Sequence, residues 1–424
     1  MTLSPFYVKV TLTELRILIL PTLSKKKLFN DPIYGFITFP FEILYDIIDH
    51  PYFQRLRRIS QQGLSHLVYP GAMHTRFHHA LGALHLTCEA VTTLREKGID
   101  ISDEEYKGVC LAILLHDVGH GPFSHALEHT ILPFHHEEMS LAIMEQLNEQ
   151  FGGQLSIGIE IFKGEYPKAF LHQLVSGQVD MDRMDYLNRD SFFTGVAEGV
   201  VSYDRIISML NVRENSLVIE EKGIYSVEKF LVARRFMYWQ VYLHKTGIAA
   251  EQMLISFMKR LKIRYIQSTI KNISEPLKNL LDVSKITDGN ITTDLIEKFC
   301  KVDDTDIVYT LKIQDKNSDE VLYYLSQSIL NRRLFKVYLQ NIEPTSEFIE
   351  NIRQEVAENQ TFSKEELNYL VLTGSETNQI YNKDKEKIMI LMKDGNIYPL
   401  EEISDSGISS NSIVKYYICC PKNA

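Results

Sequence analysis

The sequence lacks an excess of positive charge, a set of paired cysteines and a long uninterrupted apolar run. It holds 45 Lys and Arg residues against 55 Asp and Glu, a formal net charge of −10, which disfavours indiscriminate binding to nucleic acid or anionic lipid. The five cysteines are scattered, apart from Cys419 and Cys420. They predict neither a disulfide framework nor a paired CxxC metal site, so a reducing, cytoplasmic location is expected.

The longest apolar stretch near the N-terminus, Leu15 to Leu20, is short. Arg16 interrupts it and Pro21 follows it, so it predicts neither a signal peptide nor a membrane anchor. We expect residues 1–30 to form an N-terminal extension and the folded protein to begin near Asp31.

Helical periodicity dominates the next part of the chain. Apolar residues recur at intervals of three and four from Phe41 to Arg95, which indicates successive amphipathic helices. Ser102 and Glu105 match a capping box at the start of another helix, and one long helix is predicted over Val227–Leu261. Together these patterns predict a mainly α protein with an all-helical domain over residues 31–280.

The pattern changes beyond about Leu281. The segment from Lys387 to Leu400 places an Asp-Gly turn between two strand-like runs, which predicts a β-hairpin. The later segment "SIVKYYICC" is typical of another strand, and a further small hairpin is predicted over Val212–Tyr225. We therefore expect a smaller α+β C-terminal unit over residues 281–424.

The histidines are strongly clustered. Eleven of the 14 fall between His66 and His136, most densely in "HDVGHGPFSH". A single histidine at the end of an apolar helix is more often packed or capping than a ligand. Burying several titratable side chains costs free energy unless each has a partner, and one divalent cation can serve several of them. The cluster therefore predicts a metal site.

The spacing inside this motif supports a shared site. If the helix continues through the motif, His116 and His120 lie about 40° apart around its axis and project from one face. Asp117 would then approach an ion from the flank, and Gly119, Gly121 and Pro122 would end the helix and expose the ligands.

Two other stretches hold side chains that could complete the coordination. They are "HTRFHH" from His74 and "DMDRMDYLNRD" from Asp180. Together with the His-Asp doublet they resemble the HD superfamily of metal-dependent phosphohydrolases. The resemblance implies that the metal ligands are His79, His116, Asp117 and Asp182. Such mixed imidazole and carboxylate ligation suits Mn, Fe, Mg or Zn without choosing among them.

The order of the motifs narrows the resemblance. "FQRLRRISQQG", "YPGAMHTRFHH", "LLHDVGHGPFSH", "VDMDRMDYLNRD" and "YLHKTG" follow one another as in the SAM-and-HD-domain and bacterial dNTP triphosphohydrolases, over about residues 35–260. The resemblance implies metal-dependent hydrolysis of deoxynucleoside triphosphates, dGTP or a broader set, to a deoxynucleoside and inorganic tripolyphosphate.

The same resemblance assigns roles to individual residues. His125, Glu128 and His136 would sit beside the scissile phosphate, with His120 a further candidate for proton transfer. Glu128 departs from the Asp expected in close relatives, and Gln62 replaces an apolar residue expected beside the deoxyribose. The implied substrate contacts are Gln61, Tyr186 and Asp190 at the sugar, Tyr242 near the base, and Arg76, Arg183, Arg234 and Lys245 at the phosphates.

Several alternatives stay open at this point. Arg234 and Lys245 could simply solvate an exposed helix stripe. The chain could be an HD-type phosphatase or phosphodiesterase acting on another nucleotide, or a non-catalytic nucleotide-binding scaffold. A homo-oligomer is expected by analogy with oligomeric relatives, and a regulatory nucleotide could bind the basic cluster at residues 55–58. Binding to nucleic acid is left open.

Overall fold

The structure is a computed structural model that describes residues 27–284, 290–359, 362–378, 387–405 and 413–422. Most of the predicted N-terminal extension falls on residues 1–26 and lies outside these described residues. Within the described ranges, no helix is both long and apolar enough to cross a bilayer.

Residues 27–284 are mostly helical. The α-helices there are α1 (Glu42–Asp49), α2 (Pro51–Gln54), α3 (Arg76–Glu96), α4 (Asp103–Leu115), α5 (His136–Gln150), α6 (Ser156–Lys163), α7 (Ala169–Val175), α8 (Met181–Thr194), α9 (Tyr203–Ser208), α10 (Ile224–Met237), α11 (Lys245–Ile266) and α12 (Glu275–Ser284). Short 3-10 turns cover Arg55–Arg58, Ser65–Leu67, Ser124–Leu127, Ala197–Gly199 and Glu221–Gly223, and a π-helical turn covers Tyr238–Tyr242.

The described residues beyond 290 mix helices with strands. The helices are α13 (Thr293–Phe299), α14 (Asp304–Lys312), α15 (Glu320–Leu330), α16 (Ser346–Asn359) and α17 (Leu400–Ile403), with a 3-10 turn at Glu366–Tyr369. The strands of all the described residues are β1 (Phe29–Asp31), β2 (Gly35–Ile37), β3 (Leu210–Arg213), β4 (Ser216–Glu220), β5 (Lys336–Gln340), β6 (Leu372–Asn378), β7 (Met389–Leu391), β8 (Ile397–Pro399) and β9 (Ile413–Cys420).

The strands of the described residues form three small sheets. Strands β1 and β2 pair with each other, β3-β4-β7-β8 form a four-stranded sheet, and β5-β9-β6 form a three-stranded one. The parallel β4–β7 pair joins a hairpin of the helical part to one from the C-terminal part. The predicted mainly α fold with a smaller α+β portion is confirmed, and both predicted hairpins are present.

Helix α3 packs against α4 and α8 at the centre of the molecule. The predicted capping box starts α4, because the Ser102 hydroxyl accepts from the Glu105 amide at 3.2 Å and the Glu105 carboxylate accepts from the Ser102 amide at 2.7 Å. The apolar side chains of these helices fill the core. This packing brings residues from three distant motifs to one place.

Two helix predictions need correction. Helix α4 ends at Leu115, and the following residues form a turn in which the His120 amide bonds to the Asp117 carbonyl at 3.1 Å. His116 and His120 therefore do not share a helix face. The long helix expected over Val227–Leu261 is interrupted at Tyr238–Tyr242, and a new helix starts at Lys245. The His244 side chain caps that new helix by accepting from the Thr246 amide, a local bond that helical periodicity does not reveal.

Candidate active site

The side chains implied as metal ligands converge between α3, α4 and α8. The Nε2 atom of His79 lies 3.4 Å from that of His116, and Oδ1 of Asp182 lies 3.1 Å from the first and 3.4 Å from the second. Asp117 adjoins them, with carboxylate oxygens 3.6 Å from His79 Nε2 and 3.4 Å from His116 Nε2. Four residues that together span more than 100 positions of the sequence thus surround one point.

Hydrogen bonds fix both histidine rings so that Nε2 faces this point. The Nδ1 atom of His79 lies 2.7 Å from the Asp185 carboxylate, and Nδ1 of His116 lies 2.6 Å from the Ile113 carbonyl. An Nδ1–H that donates to oxygen leaves the Nε2 lone pair free to bind a metal. Both imidazoles are therefore oriented as ligands.

Asp185 is itself held by a buried network. Arg189 donates to its two carboxylate oxygens at 2.9 Å each and to Asp31 at 2.8 Å. Gly82 on α3 makes room for this pair, because a β-carbon at that position would collide with Asp185 Oδ1 and Arg189 Nη2. The chain thus orients His79 through an ion pair that only a glycine at position 82 admits.

Neighbouring groups lower the pKa of Asp117 in the metal cluster and raise that of His79. Burial opposes ionisation of Asp117, but Arg76, His116 and His120 hold its pKa well below the usual range. Burial lowers the pKa of His79, yet the hydrogen bonds to Asp182 and Asp185 outweigh it and raise that pKa to about 10. The carboxylates of the cluster are thus ionised at neutral pH, and they favour positive charge at the centre.

This donor set fits a divalent metal ion. Donor atoms of His79, His116 and Asp182 lie within 4.8 Å of one another, and the Asp117 carboxylate is adjacent. Two imidazoles with two carboxylates are ligands that Mn, Fe, Zn and Mg accept. When bound, the metal would withdraw charge from a phosphoryl oxygen and acidify a water molecule.

A second group of histidines lies next to the metal cluster. The rings of His120 and His136 stack with centroids 4.0 Å apart, and His125 meets both edge-on. Glu128 joins the group, because its carboxylate lies 2.9 Å from His125 Nδ1 and 2.8 Å from His136 Nδ1. Glu128, whose side chain is longer than that of the Asp expected in close relatives, therefore reaches both histidines. Burial opposes ionisation of Glu128, but these two hydrogen bonds lower its pKa.

The loop that carries His125 is under backbone strain. Phe123 and Ser124 both have positive φ, 55° and 54°, which is uncommon for residues other than glycine and recurs at functional sites. The strain is offset by hydrogen bonds from the Phe123 amide to Asp304 at 2.7 Å and from the Ser124 hydroxyl to the Ser60 carbonyl at 2.6 Å. Helix α14 thus supports the histidine loop.

The residues implied to hold a sugar also meet. Asp190 is buried, with its carboxylate oxygens 2.7 Å from His74 Nε2 and 2.7 Å from the Tyr242 hydroxyl. The Tyr186 ring lies between those of His79 and Tyr242. Gln61 is only 9% exposed and its side-chain carbonyl has no hydrogen-bond partner among the described residues. Gln61, Tyr186, Asp190 and Tyr242 line one cavity together with Asp117 and Asp182 of the metal cluster.

The four cations implied as phosphate contacts are placed differently. Arg76 lines the cavity, donates to Ser124 at 2.9 Å and pairs with Asp117. Arg183 pairs with Asp180 and is not among the residues that line the cavity. Lys245 is exposed at the start of α11. Arg234 is buried near Tyr238, and two of its nitrogens lack partners among the described residues. The shared helix face expected for Arg234 and Lys245 is absent because the π-helical turn separates them.

The basic cluster considered for a regulatory nucleotide is occupied by protein contacts. Arg55 is fully buried and donates to the carbonyls of Val302, Val118 and His120. Arg58 pairs with Asp303, and Arg57 lies over the Phe77 ring. Arg55 joins the C-terminal portion to the active-site turn, while Arg57 and Arg58 stay exposed, so a regulatory nucleotide at this cluster stays a prediction.

Sequence reasoning missed several residues of this site. Asp185 and Arg189 stand four positions apart on α8, a spacing typical of a helical ion pair, which could have been noticed. Ser140, whose hydroxyl accepts from the Gly119 amide and donates to the His116 carbonyl, carries no motif. Glu376 reaches the cavity wall from β6, and nothing local in the sequence indicates this.

Comparison with known proteins agrees with this geometry. Residues 201–276 match a family model described as the HD associated region. A phosphohydrolase of Bacteroides thetaiotaomicron, known from its crystal structure, is 48% identical with a TM-score of 0.88, and the match covers 93% of this chain and 100% of that one. An uncharacterized protein of Bacillus subtilis is 34% identical over 74% of this chain and 72% of its own.

A more distant relative carries a specific activity in its name. The deoxynucleoside triphosphate triphosphohydrolase SAMHD1 homolog of Dictyostelium discoideum is 32% identical over 54% of this chain, and the match spans 48% of the relative, about half its length. With the metal-ligand cluster and the close structural neighbour, these likenesses identify the chain as a member of the HD-domain phosphohydrolase family.

Proposed function

We propose that this protein hydrolyses deoxynucleoside triphosphates to a deoxynucleoside and inorganic tripolyphosphate with the help of a divalent metal ion. One observation carries the proposal: a single cavity of about 460 Å³ is lined by Asp117 and Asp182, by all three clustered histidines, and by Gln61, Tyr186 and Asp190. A site for a phosphoryl group and a polar site of the kind that binds a sugar hydroxyl thus share one cavity.

The residues of the cavity divide the chemical work. Arg76 faces the cavity beside Asp117, so it can hold a phosphate oxygen close to the metal ligands. Asp190, oriented by His74 and Tyr242, can accept a hydrogen bond from the sugar 3′-hydroxyl, and Gln61 offers an unpartnered carbonyl for the same purpose.

Proton transfer falls to the histidine group. In the proposed reaction water attacks the α-phosphorus, the bond from that phosphorus to O5′ breaks, and the departing oxygen takes a proton. His125 and His136 turn their Nδ1 atoms to Glu128, which leaves Nε2 to carry that proton. Burial and the charge of Arg76 lower the pKa of His120 well below its ordinary value, so a neutral imidazole is expected there.

Other predictions from the sequence stay predictions. They are a homo-oligomeric state, a cytoplasmic location, an activating nucleotide and the identity of the metal among Mn, Fe, Mg and Zn. Relatives named for dNTP triphosphohydrolase activity support the nucleotide substrate as a class.

The test is product analysis. Purified protein is incubated with each of the four dNTPs in the presence of Mn²⁺, Mg²⁺ or Fe²⁺, and the products are separated by ion-exchange chromatography. We expect equimolar deoxynucleoside and tripolyphosphate. Release of single phosphates, or turnover only of a monophosphate or a cyclic nucleotide, would contradict the proposal and favour the phosphatase or phosphodiesterase alternative.

A double variant, His116→Ala with Asp117→Ala, controls for contaminating activity. Unchanged hydrolysis by this variant would mean that the reaction takes place elsewhere. Nucleotide binding without turnover by the metal-loaded wild-type protein would favour the scaffold alternative.

A further inference from the structure

The cavity has a second acidic region. Glu251 on α11 and Glu376 on β6 line the same cavity as Asp117 and Asp182 of the proposed metal ligands. A β-carbon at Gly63 would lie 3.5 Å from Glu251 Oε1, which places Glu251 beside the loop that carries Gln61 and Gln62. We call this region, Glu251 and Glu376 with the two glutamines, the acidic end of the cavity.

The two carboxyl groups of the acidic end influence each other. Burial and the nearby charge of Glu376 raise the pKa of Glu251 to about 8, and burial also raises the pKa of Glu376. Among the described residues, neither carboxylate has a hydrogen bond or an ion pair that would offset this cost. Two partly buried acids without partners among the described residues are unfavourable for folding alone.

Unpartnered amides adjoin these acids. The carbonyl of Gln61, which is 9% exposed, has no partner, and neither end of the Gln62 amide has one within the described ranges. Buried polar groups are normally paired. The Gln61 carbonyl is assigned above to the sugar, so it is the Gln62 amide that points to a further ligand group beside the acids. Two carboxyl groups and two amides thus line this part of the cavity, and most of their polar atoms are hydrogen-bond acceptors.

This arrangement decides which end of a nucleotide can occupy the acidic end. Burial and the charge of Glu376 keep Glu251 protonated at neutral pH. A phosphate would be repelled by the charge of Glu376, whereas Arg76 and a bound metal attract it to the opposite end. A base edge rich in N–H donors would satisfy the carboxylates. We propose that Glu251 and Glu376 are specificity-determining residues that bind the edge of a guanine base, an inference that rests on the proposed hydrolysis of dNTPs.

Guanine fits the acidic end best because of its donor pattern. Its N1–H and its 2-amino group point the same way from adjacent atoms, and such a pair matches the two oxygens of one carboxylate, as a guanidinium fork does. Adenine and cytosine present one amino group beside a ring acceptor, and thymine presents a single N–H between two carbonyls. Only guanine places two donors side by side.

The experiment measures kcat/KM for dGTP, dATP, dCTP and dTTP with the wild-type protein and with the Glu251→Gln and Glu376→Gln variants. We expect the wild type to prefer dGTP over dATP by about tenfold or more, since unpaired buried acceptors penalise the wrong base. In each variant that ratio should fall at least tenfold, through a higher KM for dGTP. Glu376→Asp should retain part of the preference because it keeps the carboxylate.

A matched control is Glu343→Gln, which alters an exposed glutamate away from the cavity and should leave all four values unchanged. Thermal unfolding of each variant checks that it is folded. If dNTPs are hydrolysed but the dGTP to dATP ratio is the same in the glutamate variants, the base assignment is overturned while the proposed function stands. An equal loss for all four substrates also overturns it, because that pattern fits a cation held between the carboxylates.

A second measurement keeps the inference testable if no dNTP yields tripolyphosphate and the proposed function fails. Calorimetric binding of dGMP and dAMP to the same proteins then tests the acidic end alone. Tighter binding of dGMP that is lost in Glu376→Gln supports the assignment. Equal binding of the two nucleotides by the wild type contradicts it.

Discussion

The two ends of one cavity both carry a pair of carboxylates, yet their surroundings treat them in opposite ways. At the metal end, basic groups hold the pKa values of Asp117 and Asp182 low although burial opposes this. At the acidic end, burial raises the pKa values of Glu251 and Glu376, and no basic group of the described residues lowers them again. Similar side chains thus favour a cation at one end and neutral N–H donors at the other.

This difference shows how the protein can orient an elongated ligand without many direct contacts. If the proposed function holds, a nucleotide that entered backwards would lose the attraction of its phosphates to Arg76 and the metal and would bring them to the charge of Glu376. Each variant below alters only one end of the cavity, so the effect of that end on activity, metal binding or stability can be measured separately.

The largest effect is expected from removing a metal ligand. His116→Ala takes away one of two Nε2 donors that lie 3.4 Å apart, so phosphohydrolysis should fall by about 10³-fold or more, and the metal content measured by mass spectrometry should fall with it. His85→Ala, which alters a histidine on α3 outside the cluster, is the control. Normal metal content with lost activity would argue for a different role of His116.

The next effect concerns stability. Gly82→Ala would push a methyl group into the Asp185–Arg189 pair, and disrupting a buried ion pair costs about 3–5 kcal/mol. Urea denaturation should show a loss in this range. The matched control is Gly247→Ala, where a β-carbon meets nothing within 4 Å, so stability should stay equal or rise by up to about 1 kcal/mol. Equal behaviour of the two variants would mean that Gly82 does not act through the ion pair.

A smaller effect is expected from Asp185→Asn. The Asp185 carboxylate lies 2.7 Å from His79 Nδ1, and loss of such an orienting partner typically weakens metal affinity 10–100-fold. Metal titration by calorimetry measures this directly. An affinity within threefold of the wild type would show that the His79 ring is held by packing instead.

The smallest effect is a change in the pH dependence of stability at the acidic end. The pKa of Glu251 is raised from 4.5 to about 8, so the folded protein binds more protons than the unfolded chain between these values, and stability falls as pH rises through that window. Glu251→Gln should remove this part of the loss. The Tm of the variant relative to the wild type should therefore increase from pH 5 to pH 8.5, and a constant difference would contradict the shifted pKa.

The sequence predicts the fold class well because its signals are local. Helical periodicity, the Ser102–Glu105 capping box and the Asp394–Gly395 turn each act over a few residues. The proposed metal ligands could be predicted from the sequence because the motifs of the family include them. The structure brings these ligands, His79, His116, Asp117 and Asp182, together. Whether they bind metal stays a prediction for the experiments above.

Other features depend on contacts that no short pattern encodes. Asp304 supports the strained Phe123 from 181 positions away, and Glu376 approaches Glu251 only through the packing of β6. The end of α4 at Leu115 was also missed, because the helix was expected to reach His120, whereas the turn begins earlier and is held by Ser140, which bonds to Gly119 and His116.

The π-helical turn at Tyr238–Tyr242 makes the register of this segment sensitive to length. The Leu243 amide bonds to the Tyr238 carbonyl at 2.8 Å, five residues back, so the turn holds one residue more than an α-helical turn would. Deleting a single residue here, such as Gln240, would allow regular α-helix and rotate the following side chains by about 100° relative to those before the deletion. Tyr242 would swing away from Asp190, which makes the segment more tolerant of substitutions than of deletions.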